Sequence, residues 1–128
     1  MRAAKYPTDF AHWPEEILER LGRAYLAITP FTVAEEKVGL LKSGWPDERK
    51  HAHEGRLRRL MLIPLDYEII EAYARLHVEC ESSGEGFGYH DLWIGATALS
   101  RGIPLVTCDH RQSEIPGIET IYLPPKPP

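Results

Sequence analysis

Cysteine is scarce in this chain: Cys80 and Cys108 are the only two, and they lie apart without a metal-type spacing. That usage excludes a disulfide-stapled scaffold and a cysteine-based zinc module, and it reads as two buried free thiols in a reducing cytosol. No apolar run approaches the length of a membrane span, and the N-terminus has no signal-peptide core. A cytoplasmic protein with no membrane partner is expected. Positive charge is not in excess either. A net charge of −4 gives no global attraction to polyanions, so any such ligand must be met by a local basic patch or a metal ion. Internal repeats and dividing linkers are missing, and 128 residues suit a single domain, 1–128, with one buried core.

What is present is an alternation of strand-like and helix-like segments. Met1 to Trp13 reads as irregular. Pro14, Glu15 and Glu16 open a helix with Ile17, Leu18 and Leu21 on one face and Gly22 as its stop. Tyr25 to Thr29 suits a short buried strand. Thr32-Val33-Ala34-Glu35 matches a capping box opening a second helix, with Val33, the Lys37 stem, Leu40 and Leu41 as its inner stripe. Trp45-Pro46-Asp47 starts a charged helix reaching Arg59. Leu60 to Leu65 fits a strand at a sheet edge, because Pro64 cannot donate to a ladder. Asp66 caps a helix carrying Ile69, Ile70, Tyr73, Leu76 and Val78, and Ser82 to Gly88 is a small-residue loop. A helix from Asp91, a strand ending at Asp109, an alternating strand over Ile118 to Tyr122 and a Pro-rich tail, 124–128, complete the chain. The architecture expected is α/β with a mainly parallel sheet.

Glu35, Asp91 and Asp109 each stand where an element begins or ends beside an apolar strand or turn. In a parallel α/β fold, helix N-termini and strand C-termini meet on the edge of the sheet where ligands bind. Three acids converging there would hold a hard cation, magnesium or manganese, able to polarise a phosphodiester and activate water. Each acid alone also has a plain structural explanation. Glu35 completes a capping box, Asp91 favours the positive end of a helix dipole, and Asp109 forms an Asx turn. Their joint placement carries the functional reading. The helix after Asp91 adds to it, since Leu92, Trp93, Ile94, Gly95, Ala96, Ala98 and Leu99 make it apolar nearly all round and hence largely buried.

The six histidines give little support to a zinc site. His51 and His53 are two apart on a charged helix, so they do not share a face and read as solvated surface. His90 and His110 neighbour the candidate acids as outer contacts or loop residues. Arg49, Lys50, Arg56, Arg58 and Arg59 could meet a phosphate backbone, but the interleaved Asp47, Glu48 and Glu54 favour a solvated face. Tyr89 and Trp93 are of the kind that stacks on bases, with Trp93 better placed in the core.

The runs from Asp91 to Leu99 and from Gly102 to Asp109 closely resemble PIN-domain proteins, especially the VapC-type toxins of bacterial toxin–antitoxin pairs. Thr29 to Glu35 resembles the family's second acidic segment, and Leu62 to Tyr73 and Pro116 to Glu119 fit its running pattern, so the resemblance spans about residues 15 to 123. It implies a three-layer α/β/α fold and a magnesium- or manganese-dependent ribonuclease. Glu35, Asp91 and Asp109 match the acids that hold the metal, and Thr107 matches a threonine whose hydroxyl bonds a carboxylate or a metal-bound water. His90 is a further outer contact. RNA as substrate, a small antitoxin as partner and a homodimer are also implied.

The chain departs from that pattern in two places. The family opens with a hydrophobic central strand ending in an aspartate, and no such segment appears here, Asp9 after Tyr6-Pro7-Thr8 being no replacement. An empty central slot would leave neighbouring strands with unpaired backbone groups at about 1–3 kcal/mol each. A start internal to a longer reading frame is therefore favoured over a shortened member with a missing or rearranged strand. Second, Arg111 stands two positions after Asp109, where the family often has a polar or acidic residue. Two functions compete: a metal-dependent endoribonuclease, and a degenerate, non-catalytic PIN-like protein that binds RNA or an antitoxin. A purely structural domain is the third option.

Overall fold

The computed structural model describes residues 26–123. The irregular start, the helix opened by Pro14, Asp9 and the Pro-rich tail lie outside the described residues. β1 (Ala27–Ile28) leads directly into α1 (Pro30–Lys42). Thr29 is the cap: its side-chain oxygen accepts the Thr32 N–H at 3.0 Å, and Pro30 brings a preset φ to the first turn. The capping box expected at Thr32 to Glu35 is thus not formed. Helix has already begun, Thr32 is buried in the first turn with its hydroxyl 3.0 Å from that of Thr29, and Glu35 sits one turn further on. The expected inner stripe holds only in part: Val33 packs on Ile28 and Leu57, and Leu40 is partly buried, but Leu41 is 83% exposed while Thr32 and Glu36 are buried. This helix is anchored by its first turn, by Val33 on the Ile28–Leu57 cluster and by the buried Glu36–His53 pair.

α2 (Asp47–Arg58) follows Pro46, with Asp47 and Glu48 in its first turn and Arg56 and Arg58 in its last, each end matched to the helix dipole. Its charges are largely solvated, as expected, and Glu54 pairs with Lys37 and Arg58. His53 is the exception and a correction: it is buried, its Nε2 3.2 Å from Glu36 Oε2 on α1, and it meets the Trp45 ring edge-on. A histidine on a charged helix reaches the interior when the neighbouring helix supplies a carboxylate to satisfy it. Arg49 lies over the Trp45 ring at 3.7 Å.

β2 (Met61–Leu62) runs parallel to β1, with Ala27 opposite Met61 and Ile28 opposite Leu62. It is shorter than the expected Leu60-to-Leu65 strand. Ile63 still donates its N–H to the Ile28 carbonyl, but Pro64 has no N–H and the pairing stops there. α3 (Tyr67–Ser83) starts on Asp66, whose Oδ1 accepts the Ile69 N–H at 2.9 Å, and ends at Gly84 in the left-handed region. Ile69, Leu76 and Cys80 face inward with Tyr73 partly buried between them, whereas Ile70 and Val78 are exposed. Spacings of four and three residues keep one face on the core, and the flanking positions turn away.

α4 (Tyr89–Arg101) buries Leu92, Ile94, Gly95, Ala96, Thr97 and Ala98, as its composition led one to expect, but Trp93 is only partly buried and Leu99, in the last turn, is 40% exposed. A Cβ at Gly95 would lie 2.9 Å from Ile118 Cδ1 and 3.2 Å from Ile115 Cγ2, so glycine permits the close approach. The helix closes on Gly102 and feeds β3 (Leu105–Thr107), which is fully buried and parallel to β4 (Thr120–Tyr122). A short 3-10 turn over His110–Glu114 connects them. α3 and α4 pack together and carry most of the core. The fold is α/β with parallel pairing, as two pairs; among the described residues no ladder joins β1–β2 to β3–β4. No described helix is long and apolar enough to cross a membrane.

Both cysteines are free thiols, but only Cys80 is buried, its thiol pushed up by desolvation; Cys108 is partly exposed at the end of β3. Asp66 links the two packed helices at one end, since its second oxygen accepts from Arg101 of α4. The hydrogen bonds from Arg101 and from the Ile69 N–H hold its carboxyl below the ordinary aspartate range. A depressed folded pKa stabilises the protein above the unfolded value of about 3.9, and that contribution disappears as pH falls through the folded value. Thermal midpoints measured from pH 6 downward should therefore fall further for the parent protein than for Asp66→Asn, with the difference confined to the acid range.

Candidate active site

Asp91 and Asp109 belong to one hydrogen-bonded unit. Asp91 stands in the first turn of α4, where the free backbone N–H groups and the helix dipole favour a carboxylate. Asp109 follows β3 and caps the 3-10 turn, its Oδ1 accepting the Arg111 N–H at 3.0 Å. Between them lie Thr107 and Gln112, both with no exposed surface. The Asp109 N–H donates to Thr107 Oγ1 at 3.0 Å, that hydroxyl donates to Gln112 Oε1 at 2.5 Å, and Gln112 Nε2 donates to Asp91 Oδ1 at 2.7 Å. Each acid therefore has one oxygen engaged within the protein. Oδ2 of each accepts no hydrogen bond from the described residues.

Thr107 makes no direct bond to a carboxylate of the site. Its hydroxyl reaches neither carboxylate directly, because the side chain points inward from the buried end of β3 and is used up by Gln112 and the Asp109 backbone. Gln112 escaped the sequence reading. Its only local signal is the three-residue spacing from Asp109, which is capping-box spacing; burial and the tie to Asp91 arise from the packing of the turn against α4.

Glu35 is placed differently. It lies on α1, partly exposed, and its Oε2 is 3.8 Å from His90 Nε2. The same His90 nitrogen is 3.0 Å from the Phe31 carbonyl, so it carries the proton and donates to that oxygen. His90 thus bridges the first turn of α1 to the residue before Asp91. Phe31 stacks on Trp93 at 5.1 Å and Tyr73 stacks on Trp93 at 3.9 Å, which fixes α1 and α3 against the first turns of α4. Trp93 is packed against its own protein and offers no free platform for a base; exposed Tyr89, stacked on His77, is on the surface.

The described residues contain no group of three or more His, Cys, Asp or Glu side chains arranged to hold a metal ion. The donor chemistry nonetheless suits magnesium, which keeps several waters and takes one or two carboxylates together with substrate phosphates. Asp91 and Asp109, joined through Gln112 and Thr107, are the two carboxylates whose chemistry would fit it, and Glu35 lies 3.8 Å from His90. Arg111, the departure from the family pattern, is exposed, with its guanidinium donating to the Gly86 carbonyl and lying 5.0 Å from the Phe87 ring centre.

Comparison with known proteins shows the family. The PIN domain family model matches residues 6–118. Ribonuclease VapC5 of Mycobacterium tuberculosis is 31% identical over 77% of this chain and 74% of its own length. The tRNA(fMet)-specific endonuclease VapC of Salmonella typhimurium is 32% identical over 82% of each. Among solved structures, the DNA-bound VapBC complex of Salmonella typhimurium superposes with a TM-score of 0.74 at 28% identity, covering 85% of both chains. With a family model that matches most of its length and VapC relatives more than 30% identical, this chain belongs to the PIN-domain family and is of the VapC type.

Proposed function

We propose that this chain is an endoribonuclease that cleaves RNA phosphodiester bonds with a divalent metal ion, magnesium or manganese, and serves as the cytoplasmic toxin of a toxin–antitoxin pair. The observation that carries the chemistry is the Asp91–Gln112–Thr107–Asp109 unit, which ties Asp91 Oδ1 and the Asp109 backbone N–H into one buried network, while Asp109 Oδ1 accepts the Arg111 N–H and Oδ2 of each acid accepts no hydrogen bond from the described residues. Asp91 and Asp109 would hold the cation, with Glu35 as the third carboxylate. When bound, the ion supplies charge stabilisation at the phosphate and lowers the pKa of water. Arg111, exposed with its guanidinium against the Gly86 carbonyl and the Phe87 ring, is a cation on the surface of the same turn that an RNA phosphate could meet. His90 keeps Glu35 beside the first turn of α4.

The names of the relatives support RNA as substrate, and the VapBC complexes support a small antitoxin protein as partner. The test is cleavage of total RNA by the purified protein, with magnesium, with manganese and with chelator. Fragments of defined size with either metal, lost on chelation and on addition of the cognate antitoxin, are expected. Binding of RNA or antitoxin without cleavage under any of these conditions would instead leave the non-catalytic reading standing.

A further inference from the structure

Gln112 has no exposed surface, although His110, Arg111 and Glu114 of the same turn face solvent. A buried primary amide must spend its groups inside the protein, and this one spends them on two partners of opposite kind. Oε1 accepts from a hydroxyl and Nε2 donates to a carboxylate. The orientation of the amide follows from these partners. Turned over, Oε1 would face Asp91 Oδ1 at 2.7 Å as two acceptors in contact, and the Thr107 hydroxyl would lose its acceptor.

Resting on the metal-dependent nuclease reading, we infer that Gln112 is a positioning residue for Asp91, held in turn by Thr107. Its amide fixes Asp91 Oδ1 and so sets the plane of the carboxylate, making Oδ2 the oxygen offered to a divalent cation. Thr107 accepts the Asp109 N–H with the same hydroxyl that orients Gln112, so one buried side chain keeps the two acids in register. Outer partners of this kind pre-orient metal-binding carboxylates, and their loss costs about 10–100-fold in metal affinity.

Calorimetric titration with manganese alone, on the full chain, tests this in Gln112→Met, Thr107→Val and Thr107→Ser. Methionine keeps the length and removes both polar groups. Gln112→Met should bind manganese about 10–100-fold more weakly, Thr107→Val should weaken it in the same direction, and Thr107→Ser, which keeps the hydroxyl, should restore it. Circular dichroism confirms that each variant is folded. A folded Gln112→Met with parental affinity, or a Thr107→Ser as impaired as Thr107→Val, overturns the inference. If the parent protein itself binds no manganese, the nuclease reading fails, and the tie is judged without metal by exchange of the Gln112 side-chain amide protons in NMR. Exchange should be at least tenfold slower in the parent than in Asp91→Ala, and equal rates overturn the tie itself.

Discussion

Asp91→Asn should lower RNA cleavage by at least about 10²–10³-fold, the scale of removing one preorganised electrostatic group from a reaction centre, while the protein stays folded. The structure explains why the two effects separate. An asparagine oxygen still accepts the Gln112 amide, so the buried network closes as before. What disappears is the negative charge on the oxygen turned away from Gln112, which no described residue binds. The dipole at the start of α4 loses a favourable partner, worth about 0.3–1 kcal/mol, so the thermal midpoint should drop by only a few degrees. Initial rates at saturating metal, at equal concentrations of folded protein, provide the measurement. A variant within threefold of the parent would show that Asp91 is only a helix-terminal residue.

The largest loss of stability is expected from Trp93→Ala. Truncating a packed tryptophan costs about 3–5 kcal/mol, and partial burial places this residue toward the lower figure. Its ring stacks on Phe31 of α1 and on Tyr73 of α3, so one truncation removes contacts to two elements. At about 2–8 °C per kcal/mol for chains of this size range, a fall of roughly 10 °C or more should follow. The effect should also reach the acids. Phe31 carries the carbonyl that holds His90, and His90 is the link between Glu35 and α4. Urea unfolding gives the magnitude, and a loss below about 1 kcal/mol would mean that the aromatic stack is ornamental to the fold.

The elements that were legible in the sequence are those governed by local chemistry. Pro46 with its trailing acids and Asp66 as a cap mark real helix starts, because capping and φ preferences act over one turn. The buried character of α4 followed from a lack of any polar face. The misreadings arose where two local signals competed or where burial depended on a distant partner. Thr32 resembled the cap, yet Pro30 opens the helix from Thr29, earlier in the chain. His53 looked solvated because Glu36, its partner, is on another helix. Val78 and Ile70 are apolar and still exposed, since the packing direction of α3 is set by α4.

The same division holds at the acids. The sequence by itself determined which carboxylates stand at element ends, and therefore that Asp91 and Asp109 end up near one another in a parallel α/β fold. Helix starts and strand ends are local properties, and the crossover rule does the rest. Only the tertiary structure decided how those acids are held. Thr107 turns inward instead of toward a carboxylate, Gln112 joins it to Asp91 across 21 residues of chain, and Glu35 is set beside His90, the residue before Asp91. No periodicity or spacing encodes these facts, because a buried hydrogen bond is chosen by whichever partner the packed core brings within about 3 Å.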